Sequence, residues 1–252
     1  MRSEGRVGSL LTYLSIMLFN VYTLILYFNE QLILYIHPRY VMFTVCFNVL
    51  SLVVCGAGLL LTAWKMRSGV GALRLAWWRP SLTVLVAGLV LVAAYALPAR
   101  TLSSDTADQR SANFNDIEVQ QPSGGTANTL ALFEVDTAQL GIPDWVSAFN
   151  MKTSAGFFEG KKADVVGFVF HPEGTPQDVF YVSRFRLTCC AVDAQPLGVP
   201  VYSPDWQEEY KKDSWVHVTG TFAKTDEDIA EPAIITPESI EPTDQPENPY
   251  VT

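Results

Sequence analysis

Apolar residues fill the first hundred positions in long blocks, and then give way to short strand-sized alternations. Gly8–Phe28, "GSLLTYLSIMLFNVYTLILYF", is 21 residues without a charge, about the 20 that a helix needs to cross a bilayer. Val41–Trp64 forms a second such run, and Ser81–Pro98, "SLTVLVAGLVLVAAYALP", a third that is shorter but sufficient. The pattern predicts three membrane spans, near 8–28, 41–64 and 81–98. A cleaved leader is the competing reading of the first run. Its length, and the following "NEQLILYIHPRY" with no small-x-small site, argue against that.

Residues 99–128 are rich in Ser, Thr, Asn, Asp and Gly and have no hydrophobic period, so they read as a linker. A short helix is expected at Asp144–Asn150, behind Pro143. Strand-like stretches follow, starting at Ala163, Asp178, Leu197, Ser214 and Pro232. Five short strands in about 80 residues suit a small closed barrel, and the OB-fold is the leading architecture for 129–252. The fold class expected is thus a helical membrane part of three spans (1–98) followed by an all-β domain.

Charge orients this arrangement. Residues 1–98 carry seven Lys and Arg against two Asp and Glu, whereas 99–252 carry ten against twenty-four, within a net charge of −9. Arg2, Arg6, Lys65, Arg67, Arg74 and Arg79 flank the spans on the side that stays in the cytoplasm. The N-terminus is therefore expected inside and the acidic domain outside. Trp77 and Trp78 would anchor the inner interface, and Tyr35 and Tyr40 the outer one. An acidic external barrel is a poor match for phosphate backbones, whose binding needs Lys and Arg, and so nucleic acid is not an expected partner. Such a surface attracts cations instead.

Candidate chemistry is concentrated in "SRFRLTCCAVDAQPLGVPV", Ser183–Val201. If the strand ran straight, Tyr181, Phe185, Leu187 and Cys189 would share a core face, and Arg184, Arg186, Thr188 and Cys190 a polar one. Cys189 is then a small core residue, and Cys190 a surface thiol that Arg184 and Arg186 would activate by favouring thiolate. A disulfide between neighbours is disfavoured, since their Cα atoms lie only about 3.8 Å apart. A break in the strand after Leu187 would instead bring Cys189, Cys190 and Asp193 together as a thiol-thiol-carboxylate set for zinc or a trivalent metalloid. Cys46 and Cys55 fall on opposite helix faces and read as packing residues. His37, in "YIHPR", is a further metal candidate at the outer surface, although a His-Pro that ends an interfacial segment is the favoured explanation. No CxxC pair, nucleotide-binding glycine motif or base spaced to the cysteines is present, and His171 and His217 read as turn and surface residues. The chain is not expected to be an enzyme.

Several blocks together resemble the YcgQ-like permease-subunit family: "YIHPRY", "LPARTLSSDTADQR", "GFFEGKKADVVGFVF", "FYVSRFRLTCCAVDAQPLGVPV", "WVHVTGTF" and "PENPYV". The resemblance runs from Tyr35 to Val251. It implies a bacterial plasma-membrane subunit that accompanies a larger polytopic permease similar to arsenical-efflux permeases. It also implies a link to zinc homeostasis, with zinc bound transiently as substrate, and an ordered end to the Pro-rich tail. Val192 and Arg186 depart from the family's pattern; Cys189, Cys190 and Asp193 do not. The alternative is a structural interaction protein of the cell envelope that binds no ion.

Overall fold

The computed structural model describes residues 4–67, 88–89, 92, 96, 100–110, 114, 137–150, 155–225 and 229–251. They fall into two units, Met1–Arg100 and Thr101–Thr252. In the first, uninterrupted apolar sequence yields helix α1 (Glu4–Phe28) and helix α2 (Pro38–Arg67), joined through a 3-10 turn at Gln31–Leu34. Pro38 opens α2, where a missing N–H costs nothing. The two helices pack together, and Asn20 Nδ2 donates across the pair to Ser51 Oγ at 3.0 Å as well as back to the Ile16 carbonyl at 2.8 Å. Gly58 permits this approach, because a Cβ there would stand 2.8 Å from the Tyr13 ring.

On α2, Met42, Phe47, Val53, Leu60 and Trp64 are exposed, whereas Cys55 and Asn48 face inward. Apolar side chains outside and polar ones inside suit a lipid surround. Pro38–Trp64 is one helix long and apolar enough to cross a membrane, and Thr12–Phe28 is a shorter apolar helix. The protein is therefore membrane-associated. The third expected span lies outside the described residues except for Gly88, Leu89, Val92 and Ala96, which are helical. Cys46 is exposed and Cys55 buried, the opposed faces that their spacing requires.

The second unit is a barrel. Its strands are β1 (Lys162–Phe170), β2 (Val179–Arg186), β3 (Gln195–Tyr202), β4 (Trp215–Lys224) and β5 (Ala233–Pro242). Antiparallel pairings join β1 to β2, β2 to β3, β1 to β4 and β4 to β5, and the ring closes through a parallel contact of β3 with β5 at Val201 and Ile235. This order, 1-2-3-5-4-1, makes a closed five-stranded OB-like barrel. A two-residue strand β6 (Tyr250–Val251) adds in parallel to β2, so the Pro-rich tail ends in order. β4 shows why the alternation was readable: Val216, Val218 and Phe222 point in, and His217, Thr219 and Thr221 point out. A bulge between Thr219 and Gly220 bends β4 against β5, at a point where a Cβ on Gly220 would lie 2.4 Å from the Thr236 carbonyl.

One end of the barrel is closed by helix α3 (Ile142–Asn150), whose Ile142, Trp145, Val146 and Phe149 repeat at helical spacing on one face. Pro143 lies inside its first turn rather than before it. Trp145 meets Phe222 at 4.5 Å between ring centres, and Phe149 and Phe158 complete the aromatic plug. A one-turn helix, Trp206–Glu209, links β3 to β4 and lays Trp206 against Phe180.

The strand-face expectation for β2 needs correction. Phe180 and Val182 line the barrel interior, whereas Tyr181, Phe185 and Leu187 belong to a second apolar cluster on the outside of the barrel, with Phe168, Phe170 and Tyr250. Both faces of β2 are buried because the segment read as a linker contributes a cover. Ser104–Arg110 form a helix whose Ala107 is wholly buried in this outer cluster, and Phe114 stacks edge-on against Tyr181 at 5.3 Å. Two turns of polar sequence carry too few apolar residues to show a period. Trp145→Ala is expected to cost about 3–5 kcal/mol of stability, with Trp145→Phe costing less because it also removes a buried indole N–H that has no partner. Thermal unfolding of the barrel followed by circular dichroism on the full chain checks both.

Candidate metal centre

β2 stops where a carboxylate offers its backbone a better partner than a neighbouring strand. Leu187 N still donates to Val251 O at 3.3 Å, but the next three N–H groups turn to one side chain. Asp193 Oδ1 accepts from Thr188 N at 3.3 Å and Cys190 N at 3.2 Å, and its Oδ2 accepts from Cys189 N at 2.7 Å. Ala191–Asp193 form a 3-10 turn, and Asp193 N returns a bond to Cys190 O at 3.0 Å. Cys190 and Asp193 thereby cap each other in the reciprocal manner of a capping box, with sulfur in place of the usual hydroxyl. The C-x-x-D spacing was the signal for this in the sequence.

The break after Leu187 that would gather the three residues is thus present. The thiols lie 3.6 Å apart, and one ligand atom from each of Cys189, Cys190 and Asp193 falls within 4.8 Å of the others, the one such group among the described residues. Cys189 is exposed and Cys190 partly so, which overturns the expectation of a core thiol at Cys189. The physical reason is the turn, which ends the alternation of β2 before it reaches the cysteines.

Electrostatics in the turn are set by the carboxylate. A hydrogen bond to Asp193, then one to Cys190, with lesser contributions from desolvation and from the nearby negative charge, pushes the Cys189 thiol up to about 12. Asp193 titrates below its ordinary value: burial works against this but is outweighed by hydrogen bonds from the Cys189 thiol and from the N–H groups of Cys189, Cys190 and Thr188. Arginine activation is not what the geometry provides. Arg184 donates through Nε to Pro249 O at 3.2 Å and through a terminal nitrogen to Asn248 O, and lies over the Trp215 ring at 5.8 Å, so it pins the C-terminal segment. Burial lowers its pKa. Arg186 stands at the end of β2, in register with Gln195 and Val251.

The donor set fits a tetrahedral ion. Zn–S bonds of about 2.3 Å place two sulfurs about 3.8 Å apart, within a few tenths of an ångström of the observed separation. Two thiolates and one carboxylate leave a fourth position open, the pattern of an exchangeable site rather than a closed structural one. Binding through both sulfurs would release a proton from each thiol, that of Cys189 against the hold of Asp193. His37 lies in the other unit and outside this group: its Nδ1 accepts from Arg39 N at 3.0 Å at the start of α2, and its ring meets Tyr40 edge-on. His171 Nδ1 bonds Val179 O at 2.9 Å, and His217 pairs with Asp164 at 2.6 Å on the outer face of β4. Sequence reasoning passed over a pair in which buried Tyr181 donates to the partly buried Glu231 at 2.5 Å; desolvation raises the pKa of both groups.

Fold and site together define a membrane-associated protein with an OB-like barrel that displays a thiol-thiol-carboxylate turn. Residues 144–252, from within α3 to the end of the chain, match the family described as the DUF1980 C-terminal domain, which is consistent with the YcgQ-like resemblance. No curated protein matches the chain. Replacing Asp193 by Asn keeps an acceptor for the turn but removes the charge that holds the Cys189 proton. In a Cys190→Ser background, Asp193→Asn is expected to move the midpoint of the pH–rate profile for Cys189 alkylation downward. The reaction at pH 8 should then quicken about tenfold for every whole pH step by which that midpoint falls. Mass spectrometry of the labelled peptide reads this out.

Proposed function

We propose that the chain is an accessory membrane subunit of a two-component permease for a thiophilic metal ion, zinc or a trivalent metalloid, and that its barrel receives or releases the ion on the outer side of a bacterial plasma membrane. The observation that carries this reading is the convergence of Cys189, Cys190 and Asp193 on one accessible turn. In this reading the chain has three spans, a cytoplasmic N-terminus and an external barrel. Between Thr12 and Phe28, and between Tyr40 and Trp64, no residue is charged. An ion pathway normally shows ionisable groups within the membrane, so the pathway is assigned to a larger polytopic partner and the present chain to ion handling, without catalysis. Nucleic acid is not proposed as a partner. The outer face of β2, part of the surface on which OB-folds bind oligonucleotides, is covered here by Ala107, Phe114 and Tyr250.

A second reading rests on the same turn. The Asp193 oxygens already accept three backbone N–H groups, so the turn is explained without an ion, and the barrel would then serve only to dock on a partner in the envelope. Zinc and arsenite titrations of the full chain in detergent micelles separate the two. The permease-subunit reading expects one ion per chain and at least tenfold weaker binding in Cys189→Ser and in Cys190→Ser. Binding unaltered by both substitutions would remove the thiols from the proposal. Each bound thiolate gives up a proton, and Asp193 keeps Cys189 protonated well above neutrality. Affinity is therefore expected to rise with pH by at least about tenfold per unit between pH 6 and 8.

Topology has its own test. A membrane-impermeant maleimide applied to intact cells at pH 8.5 is expected to label the Cys189–Cys190 turn. Labelling seen only after permeabilisation would place the barrel inside.

A further inference from the structure

The helix Ser104–Arg110 does more than cover the outer apolar cluster. Its last residue, Arg110, reaches the turn that carries Asp193: Nη1 donates to Ala191 O at 3.4 Å and to Ala194 O, and Nη2 to Ala191 O at 3.5 Å. These carbonyls bracket the 3-10 turn Ala191–Asp193. Carbonyls at the end of a helical turn have no partner within it, and one planar guanidinium satisfies both at once. Ala194 is also buried in the same apolar cluster as Ala107, so the helix and the turn share packing as well as hydrogen bonds. Asp193 and Cys190 hold the turn from its N-terminal side, and Arg110 holds it from the other.

The rest of the helix is fastened to the barrel at separate points. Ser104 N donates to Asp213 Oδ1 at 2.6 Å, and Asp108 pairs with Lys212 at 2.8 Å. These contacts do not involve the cysteine turn, whereas Arg110 alone among these polar fastenings does. In sequence the helix begins four residues after Arg100, where the first unit ends. The chain leaving the apolar helices therefore passes through the element that grips the turn.

We infer that Arg110 is a positioning residue for the Cys189–Cys190–Asp193 site, and that through it ion occupancy and docking of the 104–110 helix are thermodynamically linked. This inference rests on the reading of that site as an ion site. A surface turn that is already ordered does not have to be ordered by the ion, so the docked helix strengthens binding by the ordering free energy it supplies. Linkage is reciprocal: the factor by which docking raises ion affinity is the factor by which the ion raises docking. Occupancy on the barrel would then be felt at the junction with the membrane part of the chain.

The test uses the full chain in lipid nanodiscs with zinc as the probe. Arg110→Ala is expected to weaken zinc binding at least tenfold, with unfolding in the absence of zinc little changed. Arg110→Lys is expected to recover only part of the loss, since an ammonium cannot span both carbonyls as the guanidinium does. Saturating zinc is expected to slow amide hydrogen exchange of residues 103–110 in the wild type and not in Arg110→Ala. Wild-type affinity in Arg110→Ala, or exchange over 103–110 that zinc leaves unchanged in the wild type, would overturn the linkage while leaving the ion site standing. Absence of zinc binding in the wild type would remove the ion site itself and the linkage with it. Should Arg110→Ala fail to fold, the wild-type exchange measurement decides the matter by itself.

Discussion

Asp193 is the residue on which the turn at the end of β2 depends. Three successive backbone N–H groups, those of Thr188, Cys189 and Cys190, would be left without partners when β2 separates from its neighbours. A single carboxylate takes all three. That collection of dipoles fixes the chain reversal, lifts both sulfurs out of the strand alternation and holds the carboxyl group ionised beside them. An alanine at this position would leave β2 to fray, and the two thiols would have no common geometry. The carboxylate that caps the turn is also one of the groups an ion would meet there, and for that reason the turn supports both an ion-handling and a purely structural reading.

The barrel provides a fixed base for this turn. Its interior is sealed by Trp145, Phe149, Phe158 and Phe222, and the outer surface of β1 and β2 by a second apolar cluster. Strands buried on both faces have little freedom to shift register, because a one-residue slip would turn every side chain of β2 into the wrong layer. Leu187, buried in the outer cluster and bonded to Val251, is the last point at which the strand is held before the turn begins.

The sequence made the barrel legible because its signal is local: β4 alternates cleanly, and the ends of the expected strands fall within a few residues of those observed. Apolar helices were legible for the same reason, through length and the absence of charge. Two features were not. The outer cluster is assembled from Ala107, Phe168, Tyr181 and Tyr250, which lie far apart in sequence, and the helix that supplies Ala107 is too short and too polar to announce itself. The fate of Cys189 hinged on whether a strand continues for three more residues, a matter decided by Asp193 from beyond the strand. Arg184 and Arg186 suggested an activating charge by proximity along the chain, whereas Arg184 in fact turns to carbonyls at Asn248 and Pro249.

The seal over the outer face of the barrel has a consequence for the order of events at biosynthesis. Leu102 N is bonded to the hydroxyl of Tyr250, at a separation of 148 residues, and both belong to the cover over Phe168 and Phe185. While the chain is being made, the aromatic strands emerge long before the tyrosine that helps to hide them. A nascent barrel with its five strands in hand therefore still presents a wet aromatic face until Tyr250 has left the ribosome and joined the cover. A chain without this brief strand would be complete in its barrel and unfinished in its exterior.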